Sequence, residues 1–238
     1  MIALASHQIS NIIQEAIGIR VLPLLPYNKL DEPVSSHADM LVCVIDRLVF
    51  CYSDYYLENI EIFNEIENRG YKIIKVNHHC GKKYPSDIGL NVLVIGKKIF
   101  CKKEFTAKEI LSYAENNGYK IINVNQGYSA CSTFVINESN AATSDLGMKK
   151  SLENEGINVF LVSNDKIILE GYNCGFVGGC GFILDKIAYF FGEIETNEEI
   201  LRLATELKKH CKEITCIRKG DICDYGGVKI LKKLKKFV

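Results

Sequence analysis

Residues 68–77 read Asn68-Arg69-Gly70-Tyr71-Lys72-Ile73-Ile74-Lys75-Val76-Asn77, and the run returns as Asn116-Asn117-Gly118-Tyr119-Lys120-Ile121-Ile122-Asn123-Val124-Asn125 with eight identities in ten. Both copies place a glycine directly before a short stretch rich in isoleucine and valine. Glycine after the last helical turn is a common αL cap, and β-branched runs favour strands. The repeat therefore predicts a helix-to-strand junction that occurs more than once in the chain.

The sequence upstream of each junction predicts a β-hairpin. Weaker copies of the junction occur at residues 154–162 and 213–217. Two-residue turns between apolar or aromatic runs precede the four junctions, at Asp46-Arg47, Gly96-Lys97, Asn137-Glu138 and Asp185-Lys186. The same offsets align four acidic residues with the start of a helix, Asp54, Glu104, Asp145 and Glu193. A carboxylate there meets unpaired N–H groups and the positive end of the helix dipole.

One unit of the repeat thus reads strand, turn, strand, helix, strand. Four units are predicted near residues 35–84, 85–126, 127–174 and 175–217, and residues 1–34 with 218–238 supply a fifth unit split between the termini. Units with one apolar face must bury it against their neighbours. We therefore predict a single domain over residues 1–238, with an α/β fold that forms a five-fold pseudo-symmetric α/β propeller. The alternative, an open α/β sheet, does not explain the recurring antiparallel hairpins.

The composition is that of an ordinary globular chain. The 238 residues include 29 basic and 29 acidic side chains, so the net charge is zero and gives no overall attraction for nucleic acid or an anionic membrane. No apolar run approaches the roughly 20 residues that span a bilayer. The ten cysteines show no C-x-x-C spacing, which favours reduced core thiols over a zinc site. We expect a cytoplasmic protein with no cofactor, no metal, no nucleic-acid partner and no membrane partner.

The central axis of a closed propeller is the natural concave site, because equivalent segments of several units line it. The segments just before the first strand of each unit are residues 37–39, 87–89, 128–131 and 176–180. They offer the imidazole of His37, the carboxylate of Asp39 and the thiol of Cys180, and nucleophilic chemistry needs these groups together. The alternatives are a surface or supporting histidine, a turn acid and an inert core thiol.

Two stretches hold more glycine, hydroxyl-bearing and acidic residues than folding alone requires. One joins residues 127–132 to residues 142–147, and the other, residues 169–181, contains five glycines in thirteen residues. Glycine-rich turns cost conformational entropy, so a ligand-facing loop is one reading and a tight connection or a helix cap is the other. The candidate substrate-binding residues in these stretches are Tyr128, Thr143, Ser144, Asp145, Glu170, Asn173, Gly178 and Gly179.

Four motifs resemble an uncharacterised bacterial family of the guanidino-group-modifying-enzyme fold, also called the pentein fold. They are His37-x-Asp39-Met40, Gly127-Tyr128-x-x-Cys131-Ser132, Thr143-Ser144-Asp145-x-Gly147 and Gly171-Tyr172-x-x-Gly175-Phe176-Val177-Gly178-Gly179. The resemblance covers nearly the whole chain and implies a five-bladed α/β propeller. Arginine deiminases, agmatine deiminases and amidinotransferases of this fold use a cysteine nucleophile near the C-terminus, a histidine and acidic residues that hold the guanidinium.

By resemblance, Cys180 is the candidate nucleophile, His37 the candidate base, and Asp39, Asp145 and Glu170 the candidate carboxylates. The first functional hypothesis is a Cys-dependent hydrolase or transferase that acts on a small guanidino or amidino compound and needs no cofactor. The second is a noncatalytic ring that binds a small ligand at the central axis or a protein surface. Convergence of these side chains on the axis favours the first hypothesis, and divergence favours the second.

Overall fold

Five three-stranded sheets build the protein. The structure is a computed structural model that describes residues 1–232, so residues 233–238 of the predicted closing unit lie outside the described residues. The strands, sheet by sheet, are β3 (Val42–Ile45), β4 (Leu48–Tyr52) and β5 (Lys72–Val76); β6 (Leu93–Ile95), β7 (Lys98–Cys101) and β8 (Lys120–Asn123); β9 (Thr133–Asn137), β10 (Asn140–Thr143) and β11 (Asn158–Leu161); β12 (Gly181–Leu184), β13 (Ile187–Phe190) and β14 (Glu213–Cys216); β15 (Val228–Leu231), β1 (Ile2–Ser6) and β2 (Val21–Leu24).

Every sheet has the same pairing pattern. The first strand of each set is antiparallel to the second, and the second is parallel to the third. The fifth sheet is assembled from both ends of the chain, because β15 pairs with β1. The predicted five-fold pseudo-symmetric α/β propeller with a unit split between the termini is therefore confirmed.

Helices connect the second and third strands of each sheet, and one further short helix, α2, directly precedes β3. The helices are α1 (Ser10–Ile17), α2 (Ala38–Leu41), α3 (Ser53–Glu58), α4 (Ile60–Asn68), α5 (Lys108–Asn116), α6 (Leu146–Asn154) and α7 (Glu198–Leu207). Gly70, Gly118 and Gly156 follow α4, α5 and α6 with φ of 82°, 72° and 78°. These left-handed positions are the helix ends that the repeated run predicts.

The core is distributed among the sheets and their helices. Phe63 and Ile66 of α4, for example, are buried in the same cluster as Phe50 of β4 and Ile73 of β5. All ten cysteines are free, and Cys51 and Cys101 occupy equivalent buried positions in β4 and β7. Among residues 1–232, no helix combines the length and the apolar character needed to cross a membrane.

Candidate functional site

An axial cavity of about 480 Å³ lies between the first strands of the five sheets. Each of these inner strands, β3, β6, β9, β12 and β15, contributes one β-branched side chain to its wall. The five are Val44, Val94, Val135, Ile183 and Ile230. All five are only half-buried, so the cavity is open to solvent. The strand period of two places every second residue on the axis, and this produces the apolar ring.

Polar residues form the base of the axial cavity, where the inner strands begin. Asp39 and Thr133 line the cavity there and are each 3% exposed. Both carboxylate oxygens of Asp39 and the hydroxyl of Thr133 have no hydrogen-bond partner. Burial is the main cause that raises the pKa of Asp39 above its usual range, and His37 acts in the opposite direction.

A buried polar cluster surrounds Asp39. His37 Nδ1 lies 3.8 Å from Asp224 Oδ1. The carboxylate of Asp224 accepts hydrogen bonds from the backbone N–H groups of Phe176, at 2.8 Å, and Gly226, at 2.9 Å. A Cβ on Gly179 would lie 1.7 Å from Asp224 Oδ1, so only glycine fits at this position. The close packing of Gly179 against Asp224 holds the Asp224 carboxylate beside His37.

Asn91 links the cluster to the third sheet along the chain. Its Nδ2 donates to the backbone oxygen of Asp39 at 3.2 Å and lies 2.8 Å from Cys131 Sγ. Its Oδ1 accepts from the N–H of Ala130 at 2.9 Å. Burial raises the pKa of the Cys131 thiol well above its usual range, and Asp39 and Asp224 raise it further. Cys131 is therefore a protonated thiol at neutral pH.

A second cavity of about 460 Å³, the loop-face cavity, is built from connecting segments. Its lining residues are Gln8, Glu32, Pro33, Ile168, Leu169, Glu170, Gly171, Arg218, Cys223, Asp224 and Tyr225. Asp224 reaches this cavity while Asp39 reaches the axial one. The polar cluster therefore lies between the two cavities. The carboxylate of Asp224 is buried on its backbone donors, so the acidic side chains that face the loop-face cavity are those of Glu32 and Glu170.

The candidate nucleophile Cys180 is enclosed by the apolar core. Cys180 is fully buried and lines neither cavity. Its thiol donates to the backbone oxygen of Phe176 at 3.2 Å. Burial raises its pKa well above the usual range, and the charge of Asp224 adds to the effect. The structure thus brings His37 and Asp39 together in the cluster but places Cys180 in the apolar core behind it.

The candidate substrate-binding residues separate into three groups. Glu170 lines the loop-face cavity, Gly178 lines the axial cavity, and Gly179 packs on Asp224. Asp145 caps α6 by accepting from the N–H of Met148 at 2.7 Å. The remaining four candidates line neither cavity. Tyr128 donates to Asp87 at 2.6 Å, and Thr143 donates to the backbone oxygen of Ser132. Ser144 is half-buried and Asn173 is exposed.

Sequence reasoning missed Cys223 and Asp224. Ile230 has the position in β15 that Val44 has in β3, and the same offset carries His37 onto Cys223. Counting back from the last strand would therefore have found this fifth segment of the axis. Arg218 and Glu32 belong to connections that the repeat does not cover, so the repeat holds no signal for them.

Cys223 lines the loop-face cavity. Arg218 Nη1 lies 3.3 Å from Cys223 Sγ and also donates to the backbone oxygen of Asp221. Burial raises the pKa of Cys223, and the guanidinium of Arg218 acts in the opposite direction. Cys223, Arg218 and the acidic side chains of Glu32 and Glu170 are the polar and reactive groups that line the loop-face cavity.

Comparison with known proteins supports the fold. A family model described as a family of unknown function, DUF6873, matches residues 4–229. No curated protein matches the chain. Among residues 1–232, no group of three or more histidine, cysteine or acidic side chains is arranged to hold a metal ion.

Solved structures similar to this chain share its five-sheet architecture at low identity. A mutant of DDAH from Pseudomonas aeruginosa complexed with citrulline is 10% identical, with a TM-score of 0.56 over 90% of this chain and 91% of the other. SxtG, an amidinotransferase from Microseira wollei, is 13% identical, with a TM-score of 0.55 over 86% and 72%. Agmatine deiminase from C. jejuni is 14% identical, with a TM-score of 0.52 over 90% and 74%. This likeness shows the pentein fold.

Proposed function

The chain belongs to DUF6873, a family of unknown function, and on that premise we propose that it binds a small guanidino or amidino cation in the loop-face cavity. The observation that carries the proposal is the presence of two acidic side chains that are not fully buried, Glu32 and Glu170, in the lining of one cavity. A guanidinium presents five donors in a planar fork that matches carboxylate oxygens, and such charge-assisted bonds are the strong ones.

Arg218 suggests which further group the ligand carries. Among residues 1–232, no carboxylate lies within 4 Å of its guanidinium, which contacts a backbone oxygen and the thiol of Cys223. A half-buried cation of this kind favours an anionic partner, and Arg forms bidentate pairs with carboxylates. The cavity therefore binds guanidino compounds with the cation toward Glu32 and Glu170, and dimethylarginine, which has a carboxylate for Arg218, should bind more tightly than agmatine, which has none.

The fold relatives support this ligand class. Their names include a complex with citrulline and an agmatine deiminase, both of which concern small guanidino or ureido compounds. At identities of 10% and 14% these relatives share the fold with this chain, and the ligand class comes from the carboxylates of the cavity itself.

We favour binding over thiolate chemistry at Cys180. A cysteine nucleophile must be deprotonated and must reach its substrate. Cys180 is buried behind the polar cluster, its pKa is raised, and its proton is engaged by the carbonyl of Phe176. No atom of Cys180 lines either cavity. The noncatalytic ring is therefore the better-supported hypothesis.

A second candidate function follows from Cys223. Cys223 lines the loop-face cavity, and the guanidinium of Arg218, 3.3 Å from the sulfur, partly offsets the burial that raises the pKa of this thiol. The alternative is thus a Cys-dependent hydrolase or transferase in which Cys223, rather than Cys180, attacks the guanidino carbon. Asp224, next in sequence, lies 3.8 Å from His37 Nδ1.

We also propose a reducing compartment, the cytoplasm. All ten cysteines are free, and disulfides form where the surroundings are oxidising. Cys174 and Cys216 are exposed, and a reducing compartment keeps such thiols unpaired.

Calorimetric titration of dimethylarginine and agmatine tests the proposed function. We expect saturable binding to the wild type and a loss of about 10- to 100-fold in affinity for Glu170→Gln and for Glu32→Gln, since each removes a charged acceptor. Glu195→Gln, at an exposed position outside both cavities, is the matched control and should bind like the wild type. Equal affinity in all four proteins would refute the proposal.

Mass spectrometry of the same mixtures distinguishes thiol chemistry at Cys223 from binding without reaction. Product formation that Cys223→Ser abolishes and Cys180→Ser preserves would establish the thiol chemistry. Binding without product in the wild type leaves the noncatalytic ring.

A further inference from the structure

A six-residue segment, residues 169–174, forms part of the wall of the loop-face cavity, and we call it the strap. Leu169, Glu170 and Gly171 of the strap line the cavity together with Cys223. Residues 170–174 are exposed to solvent, and Tyr172 is 45% exposed. The proposed function uses only Glu170 of this segment, so the other exposed residues of the strap have no role yet.

The chain on either side of the strap is fixed by backbone hydrogen bonds. The N–H of Ile168 donates to the oxygen of Ile222, and the oxygen of Ile168 accepts from the N–H of Asp224, each at 2.9 Å. The N–H of Gly175 donates to the oxygen of Ile167 at 2.8 Å, and this bond closes the neck of the strap. The strap therefore leaves and rejoins the body of the protein at one anchored place, as a compact surface loop does.

The tip of the strap is a turn with its own hydrogen bond. The N–H of Tyr172 donates to the oxygen of Leu169 at 3.0 Å, and Gly171, the third residue of the turn, has a φ of 83°. A positive φ at this position is typical of the turns that favour glycine there. The tip thus keeps its shape through a bond that does not depend on the body of the protein.

Few contacts hold the strap against the body of the protein. Among residues 1–232, one hydrogen bond joins the strap to another segment, and in it the hydroxyl of Tyr172 donates to Asp31 Oδ2 at 2.9 Å. Gly171 packs on Pro33, where a Cβ would lie 2.9 Å from Cγ of the proline. Segments with few buried contacts and solvent-exposed hydrogen bonds open at a low free energy.

We propose that the strap is a movable wall of the loop-face cavity and that the hydrogen bond between Tyr172 and Asp31 is the latch that holds it closed. Neither latch residue lines the cavity, so the latch acts on the wall and not on the ligand. Tyr172 follows Glu170 by two residues, and Asp31 directly precedes Glu32. The latch therefore ties together the two segments that carry the proposed ligand-binding carboxylates, and Tyr172 is a positioning residue for Glu170.

Alkylation of Cys223 by iodoacetamide measures the movement of the strap without a ligand. Cys223 is 8% exposed and lines the same cavity as the strap, so the reagent reaches its sulfur faster when this wall is open. Tyr172→Phe should raise the alkylation rate of Cys223 by about 3- to 10-fold, the shift in an equilibrium that follows the loss of one net hydrogen bond. Exposed Cys216 should react at the wild-type rate and enclosed Cys180 should stay unlabelled. An equal rise at Cys180 would show a general loss of stability and would overturn the inference.

Tyr113 provides a matched control for the latch. Its hydroxyl donates to Asp46 Oδ2 at the same distance, 2.9 Å, and this bond too is exposed. Tyr113→Phe should therefore leave the alkylation rate of Cys223 unchanged, and equal rates in Tyr113→Phe and Tyr172→Phe would refute the latch.

Asp31→Ala removes the acceptor of the latch and should raise the rate of Cys223 alkylation as Tyr172→Phe does. The double variant should react no faster than the quicker of the two single variants, because both substitutions remove the same bond. Additive effects in the double variant would contradict the latch.

Agmatine binding kinetics distinguish this inference, which rests on the proposed function for its ligand, from that function itself. In surface plasmon resonance, agmatine should associate with and dissociate from Tyr172→Phe faster than from the wild type, with a nearly unchanged Kd, since an open wall speeds passage both ways and the lining is intact. If the wild type does not bind agmatine, the proposed function fails and the alkylation rates still decide on the latch. Agmatine binding with equal alkylation rates in all variants would retain the proposed function and overturn the latch.

Discussion

The substitution Asp39→Asn should stabilise the unliganded protein, although most single substitutions destabilise. Asp39 is buried, and neither of its carboxylate oxygens has a hydrogen-bond partner. Burial is the main cause of its raised pKa, which means that the folded state opposes ionisation of this group. Asparagine keeps the shape of the side chain and removes the charge.

The size of the gain depends on pH. Each unit by which folding raises the pKa of an acid costs about 1.4 kcal/mol at high pH. The contribution of Asp39 is favourable below its unfolded pKa of about 3.8 and is lost as pH rises through the higher folded pKa. The difference in free energy of unfolding between Asp39→Asn and the wild type should therefore be small near pH 4. It should reach a plateau of about 1–3 kcal/mol at higher pH.

The charged and titratable groups that face Asp39 set the height of this plateau. His37, Lys229 and the neighbouring thiol of Cys131 lower its pKa, and Asp224 raises it. Since burial outweighs the groups that lower the pKa, the sign of the effect is that of a carboxylate whose ionised form the fold opposes. For a chain of this length, each kcal/mol corresponds to roughly 2–4 °C in Tm.

Urea unfolding of both proteins from pH 4 to pH 8 measures this difference. Asp224→Asn is the matched contrast, because Asp224 accepts two backbone N–H groups and an amide nitrogen would oppose one of them. That variant should lose stability where Asp39→Asn gains it. A constant difference across the pH range, or a loss of stability for Asp39→Asn at pH 8, would refute this explanation of the buried carboxylate.

Three further predictions concern the elements around the site. Alkylation of the native protein by iodoacetamide, followed by mass spectrometry, should modify exposed Cys174 rapidly and buried Cys180 only after unfolding; rapid labelling of Cys180 would contradict its placement. Gly179→Ala should destabilise the protein strongly, because its Cβ would meet Asp224, while Gly118→Ala has open space and should cost only about 1 kcal/mol from its positive φ in a thermal-melt comparison. Asp145→Ala should cost about 1 kcal/mol through loss of the α6 cap and leave agmatine affinity unchanged in calorimetry, and a lost affinity would return Asp145 to the binding site.

The architecture was predictable because its signals are local. A left-handed glycine after a helix and a short turn between apolar runs are properties of a few neighbouring residues, and they recur at Gly70 and Gly118. Closure of the ring followed from the need of each unit to bury one face. The pairing of β15 with β1 then completes the fifth sheet.

The site was less predictable because it depends on contacts between distant segments. His37 and Asp39 were identified from their place in the repeat, yet their partner Asp224 lies on a segment without a helix or hairpin of its own. Cys180 and Cys223 both belong to segments that precede the inner strand of a sheet. Only the packing around them decides that Cys180 is enclosed and that Cys223 lines a cavity. Spacing along the chain carries no information about such enclosure.

A crystal structure of the protein with bound agmatine tests the proposed function most directly. We expect density for the guanidinium in the loop-face cavity, within hydrogen-bonding distance of the carboxylate of Glu32 or Glu170. Density for agmatine elsewhere, or an empty loop-face cavity at saturating agmatine, would contradict the account.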